Sequence, residues 1–443
     1  MVIHDLLLRD WDVELVGPLW SRFGGKVWGP IAGSSRKVRS FACDTFEQFW
    51  PAALALASAA EYDLVVICKP RMPALLLGAL LKQTCGCPVV LDVDDFELSF
   101  FADETSASLD DLDAAAIDAL TEPYGELATR VCDGLIQDAD ALVVSNVALR
   151  NRFGGVIVRH ARDEEAFRED RFDRPSERAR MGMTRDDFAL VFVGTARAHK
   201  GVFQIAKTLA ELPDKRFVLH LVGDIPDKRV RNELDRHHNA RIVFHPDCPF
   251  EELPSRIVAA DAVVLLQDTA HPISQFQIPA KVSDASAFGL PILVTDVPPL
   301  RDLALQGLLT MIEPGDLAAS LQALLAEREA GRARRARSRV REAFEAELGF
   351  RVNRERLDFA IARAAAAGPG LPASFVRLMG IASRTYSLLR DQRSRHAPSS
   401  ANTPSTLPVP GPARAALPAV ASRPFDLVMF WKQNDTGLYG RRS

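Results

Sequence analysis

The segment VFVGTARAHKGV (191–202) holds the first side chains whose types and spacing suit phosphate chemistry. It predicts a buried strand that ends at Gly194, a loop that carries Arg197 and Lys200, and a helix that begins near Gly201. Backbone N–H groups at the start of a helix, with cations beside them, suit a diphosphate. The alternative is that Arg197 and Lys200 are solvated loop charges.

The segment SQFQIPAKVSDASAFGLPILVTD (274–296) predicts a second anion-binding helix start. Pro279 is expected in the first turn of a helix, where its missing N–H costs nothing, so the loop around Ile278 would present free amides to an anion. Lys281 lies beside that terminus, and Asp284 follows on the same helix face. A carboxylate there is well placed to accept hydrogen bonds from a ribose or a sugar. A Lys281 salt bridge or simple solvation is the alternative for Asp284.

The segment LDVDDFE (91–97) places carboxylates at the end of another predicted strand. Strand periodicity puts Asp92 and Asp94 on one face and Asp95 near the loop. We expect Asp94 or Asp95 to orient a substrate hydroxyl or to act as a base. Capping of the strand end and hydrogen bonds within the loop are the alternative, and His160 is expected to be structural.

Short apolar runs, separated by helical stretches, supply the framework for these sites. Runs of this length predict strands of parallel sheets covered by helices on both faces. They occupy residues 12–18, 63–69, 88–95, 139–146, 154–161, 188–195, 217–224, 241–247, 288–296 and 309–314. The charged segment 162–187 is expected to connect two halves, and residues 103–134 are expected to form one long helix. The sequence therefore predicts an α/β fold of two doubly wound, Rossmann-like domains that face each other across a cleft.

The composition of the 443-residue chain is that of a globular protein, with 47% hydrophobic and 25% charged residues. A net charge of -4 gives no support for nucleic-acid binding. The six cysteines lack zinc spacing and are expected to be reduced thiols. The first residues do not resemble a signal peptide, and no apolar run approaches the length of a membrane helix. We therefore expect a cytoplasmic protein.

The runs GTARAHKG, ADAVVLL and IPAKVSDASAFGLPILVTD together resemble the nucleotide-sugar-binding domain of GT-B glycosyltransferases, specifically the large retaining family 4. The resemblance covers roughly residues 60–345, and the second half carries nearly all of it. It implies that Asp284 contacts the nucleotide ribose. It also implies a set of residues around the donor diphosphate: Gly194, Arg197, Lys200, Gly201, Ile278, Pro279 and Lys281.

The resemblance implies a hexosyltransferase of polysaccharide biosynthesis, with a nucleotide sugar as co-substrate and a glycan or lipid-linked acceptor. Transfer in such enzymes retains the anomeric configuration and usually needs no metal, because the donor's own phosphate helps to deprotonate the acceptor. No separate cofactor, metal or nucleic acid is expected. A lipid-linked acceptor would bring the protein into peripheral contact with the inner face of a membrane.

Two positions depart from the family pattern. The family's acidic motif has two Glu residues eight positions apart; the second falls on Asp284 and the first on Phe276. The arginine that usually follows the strand glycine is Thr195 here, and Arg197 is expected to substitute for it. Three alternatives to an active GT-B enzyme stay open: a catalytically silent glycosyltransferase-like module, a truncated piece of a multidomain glycosyltransferase, and a sugar-nucleotide epimerase.

A further resemblance points elsewhere. Asp92-Val93-Asp94 is similar to the metal-binding motif of GT-A glycosyltransferases, but the second half favours the GT-B type.

The two ends of the chain are the last feature that the sequence singles out. The first half lacks the strand and glycine-bearing loop with which a doubly wound domain begins, and DLVMFWKQNDTGLYGRRS (426–443) has both. If this tail folds back, Asn434, Asp435 and Gly437 would line the acceptor side of the cleft. The slightly favoured alternative is that the tail begins a further glycosyltransferase domain.

The predicted boundaries are 1–165 for the N-terminal acceptor-side domain, 166–367 for the nucleotide-sugar-binding domain, 368–391 for an amphipathic helix, 392–424 for a disordered linker and 425–443 for the strand–loop fragment.

Overall fold

The computed structural model describes residues 2–101, 104–196, 200–223, 225, 228–396 and 425–429. The strands in these ranges are β1 (Trp11–Trp20), β2 (Lys37–Cys43), β3 (Leu64–Cys68), β4 (Val89–Val93), β5 (Ala141–Val144), β6 (Val156–Ile157), β7 (Phe188–Val193), β8 (Phe217–Val222), β9 (Arg241–His245), β10 (Val263–Leu265), β11 (Ile292–Val294), β12 (Thr310–Met311) and β13 (Phe425–Met429).

The α-helices of the same ranges cover the faces and edges of the sheets. They are α1 (Val2–Leu7), α2 (Gly29–Ala32), α3 (Phe46–Ser58), α4 (Met72–Cys85), α5 (Leu109–Ala114), α6 (Ala116–Thr121), α7 (Glu126–Gly134), α8 (Val147–Phe153), α9 (Arg174–Arg180), α10 (Val202–Glu211), α11 (Lys228–Asp235), α12 (Leu253–Val258), α13 (Ala280–Ala287), α14 (Arg301–Leu305), α15 (Leu317–Glu329), α16 (Ala333–Glu347), α17 (Phe350–Ala366) and α18 (Ala373–His396).

The N-terminal sheet is completed by the C-terminal end of the chain. Its seven parallel strands lie in the order β2-β1-β13-β3-β4-β5-β6. Residues 425–429 pair with Trp11–Leu15 of β1, and Leu427–Met429 pair with Leu64–Val66 of β3. This is the fold-back arrangement, so the slightly favoured expectation that the tail begins a further domain is wrong for this structure.

Strand β13 takes the place of the first strand of a doubly wound domain. Counted from β13, the sheet runs outward through β1 and β2 on one side and through β3 to β6 on the other. The direction of winding therefore reverses between β13 and β3. In open α/β sheets, ligands bind in the crevice at the carboxyl ends of the strands on either side of such a reversal.

The C-terminal domain has the same plan within one continuous stretch of chain. Strands β7-β8-β9 and β10-β11-β12 form two parallel groups, which an isolated parallel bridge between Leu190 and Ala262 joins. The reversal lies between β7 and β10. Phe188, Phe192 and Leu219 are buried in the core of this domain, as expected for runs covered on both faces.

Several connections differ from the sequence expectations. Residues 103–134 do not form one helix: Ser108 caps the start of α5, Ala115 ends it, and α7 begins only after Gly125. Helix α17 packs against β4, β5 and β6 of the N-terminal sheet, although the sequence assigned it to the second domain. The amphipathic helix α18 packs against α3 and α4, so its apolar face is used within the protein.

The six cysteines carry free thiols, in agreement with the sequence expectation. Within the described ranges, no helix has both the length and the apolar character needed to cross a bilayer.

Candidate active site between the two domains

A cavity of about 260 Å³ lies where the carboxyl edge of the N-terminal sheet faces the C-terminal domain. One side, which we call the N-terminal wall, includes Asp92, Asp94, Ser145 and His160. Ala280, at the start of α13, lines the other side. This is the crevice that the strand order predicts.

An internal cation organises the carboxylates of the N-terminal wall. Lys69 directly follows β3, and its ammonium lies 2.8 Å from Asp94, 2.8 Å from Asp95 and 2.9 Å from Glu97. Burial alone would lower the pKa of Lys69, but these three charges raise it well above its ordinary value. Lys69 also has a positive φ of 73°, a conformation that costs a non-glycine residue about 1 kcal/mol or more. The cluster is therefore held together by a strained, permanently charged lysine.

Neighbouring carboxylates of the N-terminal wall have pKa values shifted in opposite directions. Burial, together with the charge of Asp94, raises the pKa of Asp92 to about 8. Burial would also raise the pKa of Asp95, but Lys69 and a hydrogen bond from Gln277 hold it well below its usual range. Burial lowers the pKa of His160, against the opposing charges of Asp94 and Asp95. Near neutral pH this wall thus offers a protonated carboxyl, ionised carboxylates and a neutral imidazole.

The facing side, the C-terminal wall, brings together glycine backbone and lysine side chains. Gly194 ends β7 with a φ of 92°, and a Cβ placed on it would lie 3.6 Å from Lys281 Nζ. Gly201 begins α10 with a φ of 76°, and a Cβ there would collide with the backbone of Leu266. Glycine is therefore required at Gly201 for the chain to approach β10 this closely.

The two lysines of the C-terminal wall share one electrostatic environment. Burial and the charge of Lys200 together lower the pKa of Lys281 to about 7, while Asp284 acts in the opposite direction. The Lys281 ammonium also lies 4.4 Å from the centre of the Phe192 ring. An anion placed beside these lysines would raise the pKa of Lys281 again, which is a favourable interaction.

The start of α13 completes this wall. Pro279 is the residue before the helix, one position earlier than the sequence suggested, and Lys281 lies in the first turn. Ile278 is buried in the core of the C-terminal domain. The first N–H groups of α13 therefore lie next to the cavity that Ala280 lines, in the orientation that suits an anion.

Comparison with known proteins agrees with this geometry. Residues 173–342 match the family described as "Glycosyl transferases group 1". Anabaena Alr3699/HepE, solved in complex with UDP and glucose, is 16% identical and has a TM-score of 0.57 over 80% of this chain and 99% of that chain. The chain therefore has the GT-B fold, and its residues 173–342 match a glycosyltransferase family.

Other solved structures share this fold. Sucrose-phosphate synthase from Thermosynechococcus elongatus is 15% identical, with a TM-score of 0.54 over 80% of this chain and 99% of that chain. A glycosyltransferase from Rickettsia africae ESF-5 is 10% identical, with a TM-score of 0.57 over 80% and 98%. No curated protein matches the chain in sequence.

The carboxylate of Asp284, which was expected to contact a ribose, is already paired within the protein. Asp284 is buried, and its Oδ1 accepts a hydrogen bond of 2.6 Å from Arg162 Nε. Its partner is thus a residue of the crossover between the domains, not Lys281 or water. The ion pair ties the crossover to α13, beside Lys281.

Phe276, which replaces the family's first motif Glu, forms part of the contact between the domains. Its ring lies 4.7 Å from that of Phe96, and its carbonyl accepts a hydrogen bond of 2.8 Å from Asn146. The next residue, Gln277, donates a hydrogen bond of 3.0 Å to Asp95. The loop that carries the motif in the family here fixes one domain against the other.

Some predicted site residues lie outside the described ranges: Arg197, Asn434, Asp435 and Gly437. Conversely, the sequence reading missed Lys69 and Arg162, and it treated His160 as structural. Lys69 follows a strand end, which is a signal that could have been used. Arg162 has no local signal, because its partner Asp284 lies 122 residues away.

Proposed function

We propose that this glycosyltransferase moves a sugar from a nucleotide-sugar donor to a hydroxyl of a glycan or lipid-linked acceptor, with retention and without a resident metal. The observation that carries the proposal is the pair Lys200 and Lys281 beside Gly194, at the start of α13. Ala280, the neighbour of Lys281 at the start of α13, lines the cavity together with Asp92 and Asp94 of the N-terminal wall. The arrangement separates a site for an anionic leaving group from a site for a hydroxyl.

The donor diphosphate is the ligand that best suits the C-terminal wall. Two lysines and the first amides of α13 would neutralise its charge, as at other helix starts that bind phosphate. Alr3699/HepE has been solved with UDP-glucose, which makes a UDP sugar the first donor to test. The same groups would stabilise the diphosphate as it leaves, because its negative charge grows in the transition state.

The acceptor hydroxyl is proposed to lie against the N-terminal wall. Its oxygen attacks the anomeric carbon, the bond from that carbon to the diphosphate breaks, and the proton passes to a donor phosphate oxygen on the same face. Asp94 would orient the hydroxyl by accepting a hydrogen bond. Asp92, whose pKa of about 8 keeps it protonated near neutral pH, would donate to a sugar or acceptor oxygen instead.

The proposal of a metal-independent reaction rests on Lys69. Asp94, Asp95 and Glu97 offer ligand atoms within 4.8 Å of one another, which is the spacing of a cation site. The Lys69 ammonium already contacts all three carboxylates. A divalent cation would have to displace that ammonium, so transfer is expected to continue in EDTA. We further propose that the enzyme works in the cytoplasm, in peripheral contact with the membrane where its acceptor is lipid-linked.

Calorimetry with UDP, GDP and dTDP sugars tests the donor site. Lys200→Ala and Lys281→Ala should each weaken donor binding by about tenfold or more, because each removes a charge-assisted contact with phosphate. Lys207→Ala, on the exposed face of the same helix α10, is the matched control and should bind normally. Donor binding that survives both lysine substitutions would refute the diphosphate site.

A silent module is the second candidate, and Phe276 favours it because the first motif Glu is missing. The two candidates differ in turnover. An active enzyme hydrolyses the donor slowly or transfers its sugar to an acceptor from a glycan panel. Donor binding without hydrolysis or transfer to any acceptor would favour the silent module.

A further inference from the structure

A second cavity, of about 530 Å³, lies beside the crossover between the domains. Its walls come from α8, β6, α14, α16 and α17, and we call it the crossover cavity. The charged residues that line it are Arg150, Arg159, Asp302, Glu347, Arg356 and Arg363. Four guanidinium groups against two carboxylates leave an excess of two positive charges.

Arg159 is the buried member of this group, with 3% of its surface exposed. Its Nη2 pairs with one oxygen of Asp302. Nε and Nη1 of Arg159 have no hydrogen-bond acceptor in the described part of the chain, and Oδ1 of Asp302 has no donor there. A buried N–H group without an acceptor is costly, so native proteins rarely leave two on one side chain.

The remaining arginines divide into a paired and an open set. Arg356 donates a hydrogen bond of 2.9 Å to Glu347. Arg150 and Arg363 are exposed and form no side-chain ion pair with any residue that the structure describes. The excess charge of the crossover cavity therefore lies at its rim, above the incompletely paired Arg159.

We propose that the crossover cavity binds a phosphate group, with Arg159 as its buried anchor and Arg150 and Arg363 at its rim. A phosphate dianion matches the two excess charges, and its oxygens fit the fork of a guanidinium. Asp302 bonds the Arg159 guanidinium through a single oxygen, so Nε and Nη1 of Arg159 keep no acceptor among the described residues. Phosphate is therefore a better complement to Arg159 than Asp302 alone.

The rim also suits an organic group attached to the phosphate. Phe359 lines the crossover cavity and is 60% exposed. Leu305, next to the lining residue Gln306, is 90% exposed. Both a soluble phosphate ester and a phospholipid headgroup share this chemistry, and the experiment must distinguish them.

Titration calorimetry with inorganic phosphate tests the site, in a Lys200→Ala/Lys281→Ala background that removes the proposed diphosphate site. The result therefore does not depend on the proposed function. We expect one saturable site, weakened by about tenfold in Arg150→Gln and in Arg363→Gln, because each loses a charge-assisted contact. Arg351→Gln is the matched control: it lies on α17, is exposed and does not line the cavity.

Asp302→Asn tests the anchor without removing Arg159. It takes away the carboxylate that competes for the guanidinium, so phosphate should bind several-fold more tightly. If Asp302→Asn weakened binding, or if Arg351→Gln weakened it as much as Arg150→Gln, the proposed site would be wrong.

Vesicle co-sedimentation separates the two sources of phosphate. Binding to phosphatidylglycerol vesicles that exceeds binding to phosphatidylcholine vesicles, and that falls in Arg150→Gln and Arg363→Gln, assigns the site to a lipid headgroup. Binding of inorganic phosphate without such vesicle binding assigns it to a soluble ester. Binding of neither probe overturns the proposal.

Discussion

The two walls of the active-site cavity differ in how their charged side chains are neutralised. On the N-terminal wall, Asp94 and Asp95 are neutralised by Lys69 within the protein itself. On the C-terminal wall, burial and the charge of Lys200 lower the pKa of Lys281, and the nearby Asp284 forms an ion pair with Arg162. The carboxylates of one wall are neutralised by a lysine, whereas on the other wall burial and a second lysine disfavour the charge of Lys281. This difference supports the proposal that the anionic substrate group binds at the C-terminal wall.

The two domains also differ in how the chain builds them. The strands of the C-terminal domain come from one stretch, residues 188–311. The N-terminal sheet takes β13 from residues 425–429, beyond the whole C-terminal domain. The stability of the N-terminal domain should therefore depend on the chain end, and that of the C-terminal domain should not.

Val428→Pro should give the largest effect on stability, because it disrupts the strand β13 on which the N-terminal sheet depends. Val428 pairs with Glu14 on one side and with Val65 on the other, so proline removes a ladder hydrogen bond inside a central strand. We expect a loss of about 3 kcal/mol or more from the N-terminal domain. Urea unfolding followed by tryptophan fluorescence measures it, because the C-terminal domain contains no tryptophan.

Ala413→Pro, between α18 and β13, is the control for this substitution and should leave the transition in place. UDP binding should change less than the fluorescence transition, since the proposed donor-binding groups lie in the other domain. An unshifted fluorescence transition in Val428→Pro would show that β13 does not hold the sheet together.

Lys69→Met should be the next largest effect, because it removes the counterion of the N-terminal wall. Three carboxylates would remain around a vacant position, and losing one partner of a buried ion pair costs about 3–5 kcal/mol. Lys37→Met is the matched control: its ion pair with Asp12 is exposed and should contribute less than about 1 kcal/mol.

Divalent cations provide a second test of the carboxylates around Lys69. The three carboxylates lie within 4.8 Å of one another, so Ca²⁺ or Mg²⁺ should restore part of the stability of Lys69→Met and leave the wild type unchanged. Equal denaturation midpoints for Lys69→Met and Lys37→Met would contradict the role of Lys69.

The fold was easier to predict for the C-terminal domain, which comes from one stretch of chain, than for the N-terminal domain, which does not. Apolar runs located β7 to β9 and the strand ends that form the site. β2 and α3 were not identified, because β2 is largely exposed and lacks a continuous apolar run. The position of β13 required the observation that a strand and loop were missing from the first half. Even then, the sequence could not decide whether the tail folds back.

The candidate site was predicted only where its residues are local to one motif. Gly194, Lys200, Pro279 and Lys281 fall in two short segments and lie together in the structure. The partner of Asp284 was not predictable, because Arg162 reaches it across 122 residues. For the same reason the contact of Phe276 with Phe96 was invisible in a linear reading.

Asp92→Asn should change the pH dependence of stability. The pKa of Asp92 is about 8 in the folded protein and has a reference value of 3.8. Between these values the unfolded chain loses the proton while the folded protein keeps it, so the contribution of Asp92 is full at acid pH and is lost as pH rises through about 8. The Asp92→Asn variant has no ionisable group at this position, so its stability does not fall in this way. Its stability relative to wild type should rise by about 2 kcal/mol from about pH 6 to about pH 8 in urea titrations.

Asp12→Asn, an exposed carboxylate on β1, is the control for Asp92→Asn and should show no comparable rise. A parallel pH dependence in wild type and Asp92→Asn would mean that Asp92 ionises normally in the folded protein.

Proton uptake on UDP binding is the smallest expected effect and tests the lowered pKa of Lys281 directly. Free Lys281 has a pKa of about 7, so near pH 8 it is mostly neutral, and a bound diphosphate should return its proton. Calorimetry near pH 8 in Tris and in HEPES should report the uptake of close to one proton, and affinity should fall by up to about tenfold per pH unit above the pKa. Lys281→Arg keeps the charge at every pH, so it should bind UDP with almost no uptake. Uptake near zero in the wild type, or equal in both proteins, would contradict the lowered pKa of Lys281.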